Sequence, residues 1–301
     1  MASRWQRSHH IEQLDPVQDH VEIARLLAGY EFPWDITRAL EIALFRTFCV
    51  PSVSQLLDRT GEFQHRPQKR YDDTGLIVSE ILKWGYDSEP GAAAIARMNH
   101  IHGHFPISNE DFRYVLSTFI YEPIRWIERF GWRSLSITEK QALFYFWQAV
   151  GDRMNIHEIP ETYASFEQFN QAYEQQHFRY SDSNRRVGDA TLSMLVGWFP
   201  KPLQPAVRPS VYVLLDDSMR RAFGYPTPPE ELCWAIAQTL RFRGWMMRSL
   251  PPRTTPDFFV DSTLRSYPHG FTLADVGPPS MRSRLNAPPV PAPESEVDVG
   301  D

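Results

Sequence analysis

Apolar residues recur every three or four positions in segment after segment of this chain, and period-two alternation is scarce. A strand buries every second residue, whereas a helix buries a stripe at i, i+3, i+4 and i+7, so the spacing predicts an all-α fold. Val17, Val21, Ala24, Leu27 and Ala28 follow Asp15 as N-cap and Pro16 in the first turn, with Gly29 at the close. Trp34 to Phe48 repeats the pattern through Ile36, Leu40, Ala43 and Leu44. Pro51 ends it, and Ser52 caps a shorter helix that Gly61 stops. Residues 62–69 are polar, contain Pro67 and read as a loop. Asp72 or Asp73 then caps a helix through Leu76, Ile77, Ile81 and Leu82 to Gly85, and Ser88 starts one running towards His104. Asn109 caps a long helix that Pro123 is expected to kink, and Thr138 caps one through Leu143, Phe146 and Val150. Helices at 162–180 and 185–198 follow. Pro200, Pro202, Pro205 and Pro209 then predict a non-helical connection, and helices at 211–223 and 229–247 come last.

A chain of 301 residues can hold one sizeable core or two small ones, and these elements are read as one single helical domain over residues 16–285. Residues 1–15 are polar and read as a flexible N-terminus. Residues 286–301, Pro-rich and acidic, bury too little apolar surface to order and read as a disordered tail. The net charge of −6 argues against a nucleic-acid partner, which needs clustered Lys and Arg. Aromatics at 13% suit a large core or a pocket for an apolar ligand. Cys49 and Cys233 form no Cys-x-x-Cys and no Cys-x-x-Cys-His haem attachment, and read as small buried hydrophobes. No stretch is apolar enough for a transmembrane segment, and MASRWQRSHHIEQLDP lacks an apolar signal region. The expected location is cytoplasmic, with peripheral attachment to an intracellular membrane left open.

The strongest chemical signal is ARMNHIHGHF, where His100, His102 and His104 alternate. On a strand all three would share a face and could hold a metal. The preceding Ala92 to Ala96 run favours a helix instead. Ile95, Met98 and His102 then share an apolar stripe, while His100 and His104 follow Arg97 to a more polar side. An inward His102 has two readings that sequence physics leaves open: a hydrogen-bonded core histidine, or the neutral imidazole that a haem b iron needs from its proximal ligand. Zinc on His100 and His104 lacks the companion Glu of a His-Glu-x-x-His motif.

A second constellation, KRYDDTGLIVSEI, places Arg70, Asp73 and Thr74 at a helix entrance. The plain reading is an Asp N-cap with a first turn that compensates the dipole. The functional reading is a polar roof in which helix amides, a guanidinium and a hydroxyl polarise dioxygen. Thr74 shares a face with Ile77, Val78 and Ile81, which points its hydroxyl inward.

Taken in order, RYDDTGLIVSE, ARMNHIHGHFPISNEDFRYVLSTF, EPIRWIERFGWR, FYFWQAVGDRMNI, DATLSML, LLDDSMRRAFGYP and SYPHGF resemble the fungal mpaB-type oxygenases, and more distantly the rubber oxygenases or latex clearing proteins. The resemblance runs from about Asp15 to Gly277. It implies an all-helical, distantly globin-like catalytic domain enclosing haem b, with iron on His102 as the cofactor-binding and metal ligand. It implies Arg70, Asp73 and Thr74 as the catalytic group around dioxygen. The rubber oxygenase roof reads Arg-x-x-Lys-Thr. Here Asp73 stands at the Lys position, so a distal Lys ligand is absent and a carboxylate could relay protons instead. The implied chemistry is oxidation of an apolar small-molecule substrate, isoprenoid or polyketide-derived, including cleavage of a carbon–carbon double bond. Other haem-dependent oxidations (hydroxylation, epoxidation, rearrangement) and a haem-free helical binding protein on the same fold are the alternatives.

Overall fold

A computed structural model of the chain describes residues 4–281. The tail expected to be disordered, 286–301, lies outside the described residues. Among those residues there is no strand, only an isolated bridge between Leu264 and Tyr267, and the fold is a single all-α domain. The N-terminal half holds α1 (Gln6–Ile11), α2 (His20–Leu26), α3 (Pro33–Thr47), α4 (Pro51–Thr60), α5 (Glu62–His65), α6 (Pro67–Trp84) and α7 (Glu89–His102). Then come α8 (Asn109–Phe130), α9 (Ile137–Arg153), α10 (Tyr163–His177), α11 (Asp182–Gly197), α12 (Gln204–Leu214), α13 (Asp217–Phe223) and α14 (Glu230–Ser249). After α14 a strap of irregular backbone and short 3-10 turns runs through Met281.

Helix α8 is the centre. Its apolar residues, from Leu116 to Phe130, are buried almost all round, and α3, α9, α10 and α14 pack on it. Pro123 lies inside α8 and the helix continues through it. A second apolar cluster, including Phe45, Phe48, Phe63 and Phe223, joins α3 and α5 to α11 and α13. Buried charge ties distant elements together. Arg133 is held by both Glu139 oxygens at 2.7 Å and by Glu31 at 3.1 Å, and Glu31 also takes Arg7 at 3.0 Å. Such a cation is tolerated out of water only when paired this completely.

Several expected boundaries move. From Arg4 on, the N-terminal segment expected to be flexible is packed on the domain. Residues Gln6–Ile11 form α1, Ile11 is fully buried, and Arg4 donates to the Pro251 carbonyl at 3.3 Å. The expected loop at 62–69 is instead α5 and the first turn of α6, so neither Asp72 nor Asp73 is a cap. The proline connection is partly helical, because α12 starts at Gln204 and carries Pro209 inside it. Pro209 lacks the amide that would bond the Pro205 carbonyl, so α12 runs on without that bond. The true N-caps of α8 and α9 are Ser108 and Ser136, the latter in a capping box with Glu139. Gly29 does not stop a helix; it lies in a π-turn, Leu27–Glu31, that carries the chain to α3.

Candidate active site

Helices α6 and α7 pack on each other. They form a helical hairpin, joined by Gly85 to Ser88, with the Ser88 hydroxyl capping α7 at Gly91 N, 3.1 Å. In such a hairpin the start of α6 and the end of α7 come to the same end. That brings Arg70 and His102 together: the guanidinium acts electrostatically on the imidazole.

His102 is the last residue of α7, beside the Phe112 ring with centroids 5.4 Å apart. Its Nδ1 is buried and has no hydrogen-bond partner among the described residues. Burial, reinforced by the Arg70 charge, pushes its pKa down to about 4, so the ring is neutral at pH 7. His100 and His104 are exposed and stack edge to face at 4.9 Å, with a His104 Nδ1–His100 carbonyl contact of 2.7 Å. The expected polar companion on their side, Arg97, turns inward instead and donates through Nε to the Val276 carbonyl at 2.9 Å.

Arg70 is desolvated, and burial lowers its pKa. Among the described residues its side-chain hydrogen bond is to the Thr74 hydroxyl, and the Phe63 ring lies 5.6 Å from the guanidinium. Thr74 in turn donates to the Arg70 carbonyl at 3.1 Å. Arg70 completes the first turn of α6 and Thr74 lies one turn further on; the Arg70 amide already donates to the Arg66 carbonyl at 3.0 Å, so it is spent on the helix itself.

Asp73 does not join this pair. Its oxygens take Lys69 Nζ at 2.8 and 2.7 Å, the Tyr267 hydroxyl, and the Gly277 amide at 3.0 Å. The carboxylate therefore fastens the C-terminal strap to α6. Asp72 does the same at Ser266 N, 2.9 Å. Positions 69 and 73 share a helix face that 70 and 74 do not, and the strap occupies it.

Thr74 also lines an apolar crevice between α3, α6 and the strap, walled by Ile36, Leu40, Val78, Phe119 and Phe258. Gly75 lets the strap approach, since a Cβ there would meet the Phe259 ring at 2.4 Å. Two polar residues at this crevice were not singled out by sequence. Tyr71 donates to Glu41, and Arg38 pairs with Glu41 at 2.7 Å. Burial pushes the Glu41 carboxyl up against the opposing pull of Arg38 and Tyr71. The available signal was spacing: Tyr71 falls on one face with Thr74, Val78 and Leu82.

Comparison with known proteins now bears on this arrangement. The family profile described as "ER-bound oxygenase mpaB/B'/Rubber oxygenase, catalytic domain" matches residues 37–249. The chain belongs to that family. The matched segment contains α6, α7 and every residue of the Arg70, Thr74 and His102 group, but not the strap. The chain is 30% identical over 251 residues to the ER-bound oxygenase mpaB' of Penicillium brevicompactum, covering 77% of this chain and 59% of that protein. It is 29% identical over 227 residues to the ER-bound oxygenase mpaB of Penicillium roqueforti, covering 69% and 76% respectively. Against mpaB of Penicillium brevicompactum it is 31% identical over 193 residues, 58% of this chain and 49% of that protein. The chain thus spans only part of the length of these relatives. No single helix among the described residues is long and apolar enough to cross a membrane.

Proposed function

We propose that this chain is a haem b oxygenase that acts with dioxygen on an apolar, isoprenoid or polyketide-derived secondary-metabolite intermediate and cleaves a carbon–carbon double bond in it. The observation that carries the reading is a buried imidazole nitrogen on His102 that has no hydrogen-bond partner among the described residues, on a ring that feels the charge of Arg70. The residues fit the group. No cluster of three or more His, Cys, Asp or Glu converges among the described residues, so iron held here would need a ligand that brings most of its own donors, as a porphyrin does. His102 would be the protein's ligand in a globin-like enclosure, kept neutral by burial and by Arg70 so that its lone pair stays available. Bound there, haem b would supply the redox-active iron that dioxygen chemistry needs.

The chain's own contribution is positioning. Arg70 presents a full charge and Thr74 a hydroxyl, and each fixes the other's rotamer. Thr74 reaches the crevice, so the partner of Arg70 touches the space where an apolar chain would lie. The crevice walls exclude water from that chain. Asp73 is a positioning residue, holding the strap that closes the crevice. Relatives carry the name ER-bound oxygenase, and we place this chain in the cytoplasm, peripheral to an intracellular membrane. The test is haem content by pyridine haemochrome after expression with haem precursor. About one haem per chain is expected, and a protein that stays colourless after reconstitution with haemin sinks the reading.

A further inference from the structure

Helix α14 turns its aromatic side to solvent. Trp234, Phe242 and Trp245 are 68%, 58% and 60% exposed, and Met246 and Leu250 are nearly half exposed. At 100° per residue the three rings fall within about 80° of arc, a continuous outward stripe. The helix cannot roll to hide them. Gly244, on another side, lies so close to α8 that a Cβ would meet the Phe130 carbonyl at 2.5 Å. Arg243 is pinned to Asp35 at 2.8 Å and lies 3.8 Å from the Trp34 ring centroid.

Charge along this stretch departs from that of the chain. After Glu230 and Glu231, both exposed in the first turn of α14, residues 232–256 hold Arg241, Arg243, Arg248 and Arg253 and no further Asp or Glu, in a protein of net charge −6. Arg241 and Arg248 are exposed beside the rings, Arg248 also donating through Nε to the Trp132 carbonyl. A basic helix with large aromatic residues on its outer face is the composition that settles at a lipid–water boundary, rings at headgroup depth and guanidinium groups on phosphate. A second copy of the chain is the weaker occupant. The apolar stripe is one helix wide, short of the roughly 20–30 residues a side that a stable interface uses.

We propose that the outward face of α14 docks on an anionic phospholipid bilayer, with Trp234, Phe242 and Trp245 at the headgroup boundary and Arg241 and Arg248 on lipid phosphate. The inference rests on the peripheral placement proposed above and is independent of the haem chemistry. It connects to the crevice: Leu250 ends the exposed face, and Phe258, eight residues on, lines the crevice wall. A chain of that length reaches at most roughly 26–29 Å, so a docked molecule holds its crevice close to the bilayer.

The experiment is co-sedimentation of the full chain with phosphatidylcholine vesicles and with vesicles containing roughly one-third phosphatidylserine, read beside tryptophan fluorescence and light-scattering mass. The expected result is binding to the anionic vesicles with a blue shift. A Trp234→Ser, Trp245→Ser, Arg241→Glu variant should lose about tenfold or more in binding while melting unchanged, because the three side chains are exposed. A wild-type protein that stays in the supernatant with both vesicles overturns both the docking and the peripheral placement. A variant that binds as well as wild type overturns the α14 face and leaves the placement standing. A dimer that ignores vesicles and falls to monomer in the variant overturns the docking and makes the stripe an interface between copies.

Discussion

Arg70 and Thr74 satisfy one another across a single turn of α6: the guanidinium donates to the threonine hydroxyl, and that hydroxyl donates to the arginine carbonyl at 3.1 Å. The closed pair fixes a desolvated positive charge whose field reaches His102, with Asp73 and Glu62 as its electrostatic counterparts and no carboxylate hydrogen-bonded to it among the described residues. Both Arg70→Ala and Thr74→Ala should keep the fold and most of the haem: the first removes the charge itself, and the second leaves the guanidinium in the field of Asp73 and Glu62. Turnover should fall by about 10²-fold or more, the usual loss when a positioned donor is removed. Product formation measured beside thermal melting checks this. Retained turnover in the double variant would make the pair a helix brace and nothing more.

His102→Ala should abolish stable haem binding, whereas His100→Ala and His104→Ala should leave the Soret band intact. The two flanking histidines contact each other in solvent, whereas His102 has a buried nitrogen with no hydrogen-bond partner among the described residues. Absorbance titration with haemin separates the three. An essential His100 would show that the ligand is on the wrong face of α7.

Acid should destabilise the haem-free protein through His102. The unfolded chain takes up a proton on this ring near the ordinary value of 6.5, while the folded chain resists until about 4. Unfolded molecules therefore bind more protons between those values, and the stabilising contribution, complete above about pH 6.5, is lost as pH falls towards 4. Urea unfolding at pH 7.5 and pH 5 for wild type and His102→Leu isolates the effect. The wild type should lose more stability on acidification than the variant, and equal losses would place the proton uptake elsewhere.

Asp73→Ala should act on the strap. It takes the counter-charge from a nearly buried Lys69, which keeps the Tyr267 hydroxyl and the Asp275 and Gly277 carbonyls, and removes one acceptor of Tyr267 and that of the Gly277 amide. Breaking such a pair from one side costs about 3–5 kcal/mol. Amide exchange around residues 264–277 should accelerate before the helices do. Unchanged protection there, with turnover lost, would return Asp73 to the chemistry.

The helical class, most element positions and the inward aim of His102 were legible because each rests on spacing within one helix, and Ile95 and Met98 set the stripe that carries His102. What the strap does was not legible. Asp73 and Arg97 are read locally as a cap and a surface cation, and both readings are reasonable for their neighbours in sequence. Their partners, Gly277 and Val276, lie 204 and 179 residues away. The same holds for α1, whose polar composition hides one fully buried residue, Ile11, and an arginine contact to Pro251 at the end of the fold. Tyr71 and Glu41 were missed because a hydroxyl and a carboxylate on different helices become a pair only once α3 and α6 are packed.

The order of synthesis gives that strap a role in time. Asp73 leaves the ribosome 204 residues ahead of the amide that completes its coordination. At translation speeds of roughly 5–20 residues per second, α6 and α7 wait about 10–40 s with Asp72, Asp73 and Arg97 lacking their strap partners. During that interval the crevice has no Phe258 wall and α7 lacks its packing against the 3-10 turn Leu273–Asp275. The helices around His102 are therefore made, and can pack, well before the strap that finishes the crevice.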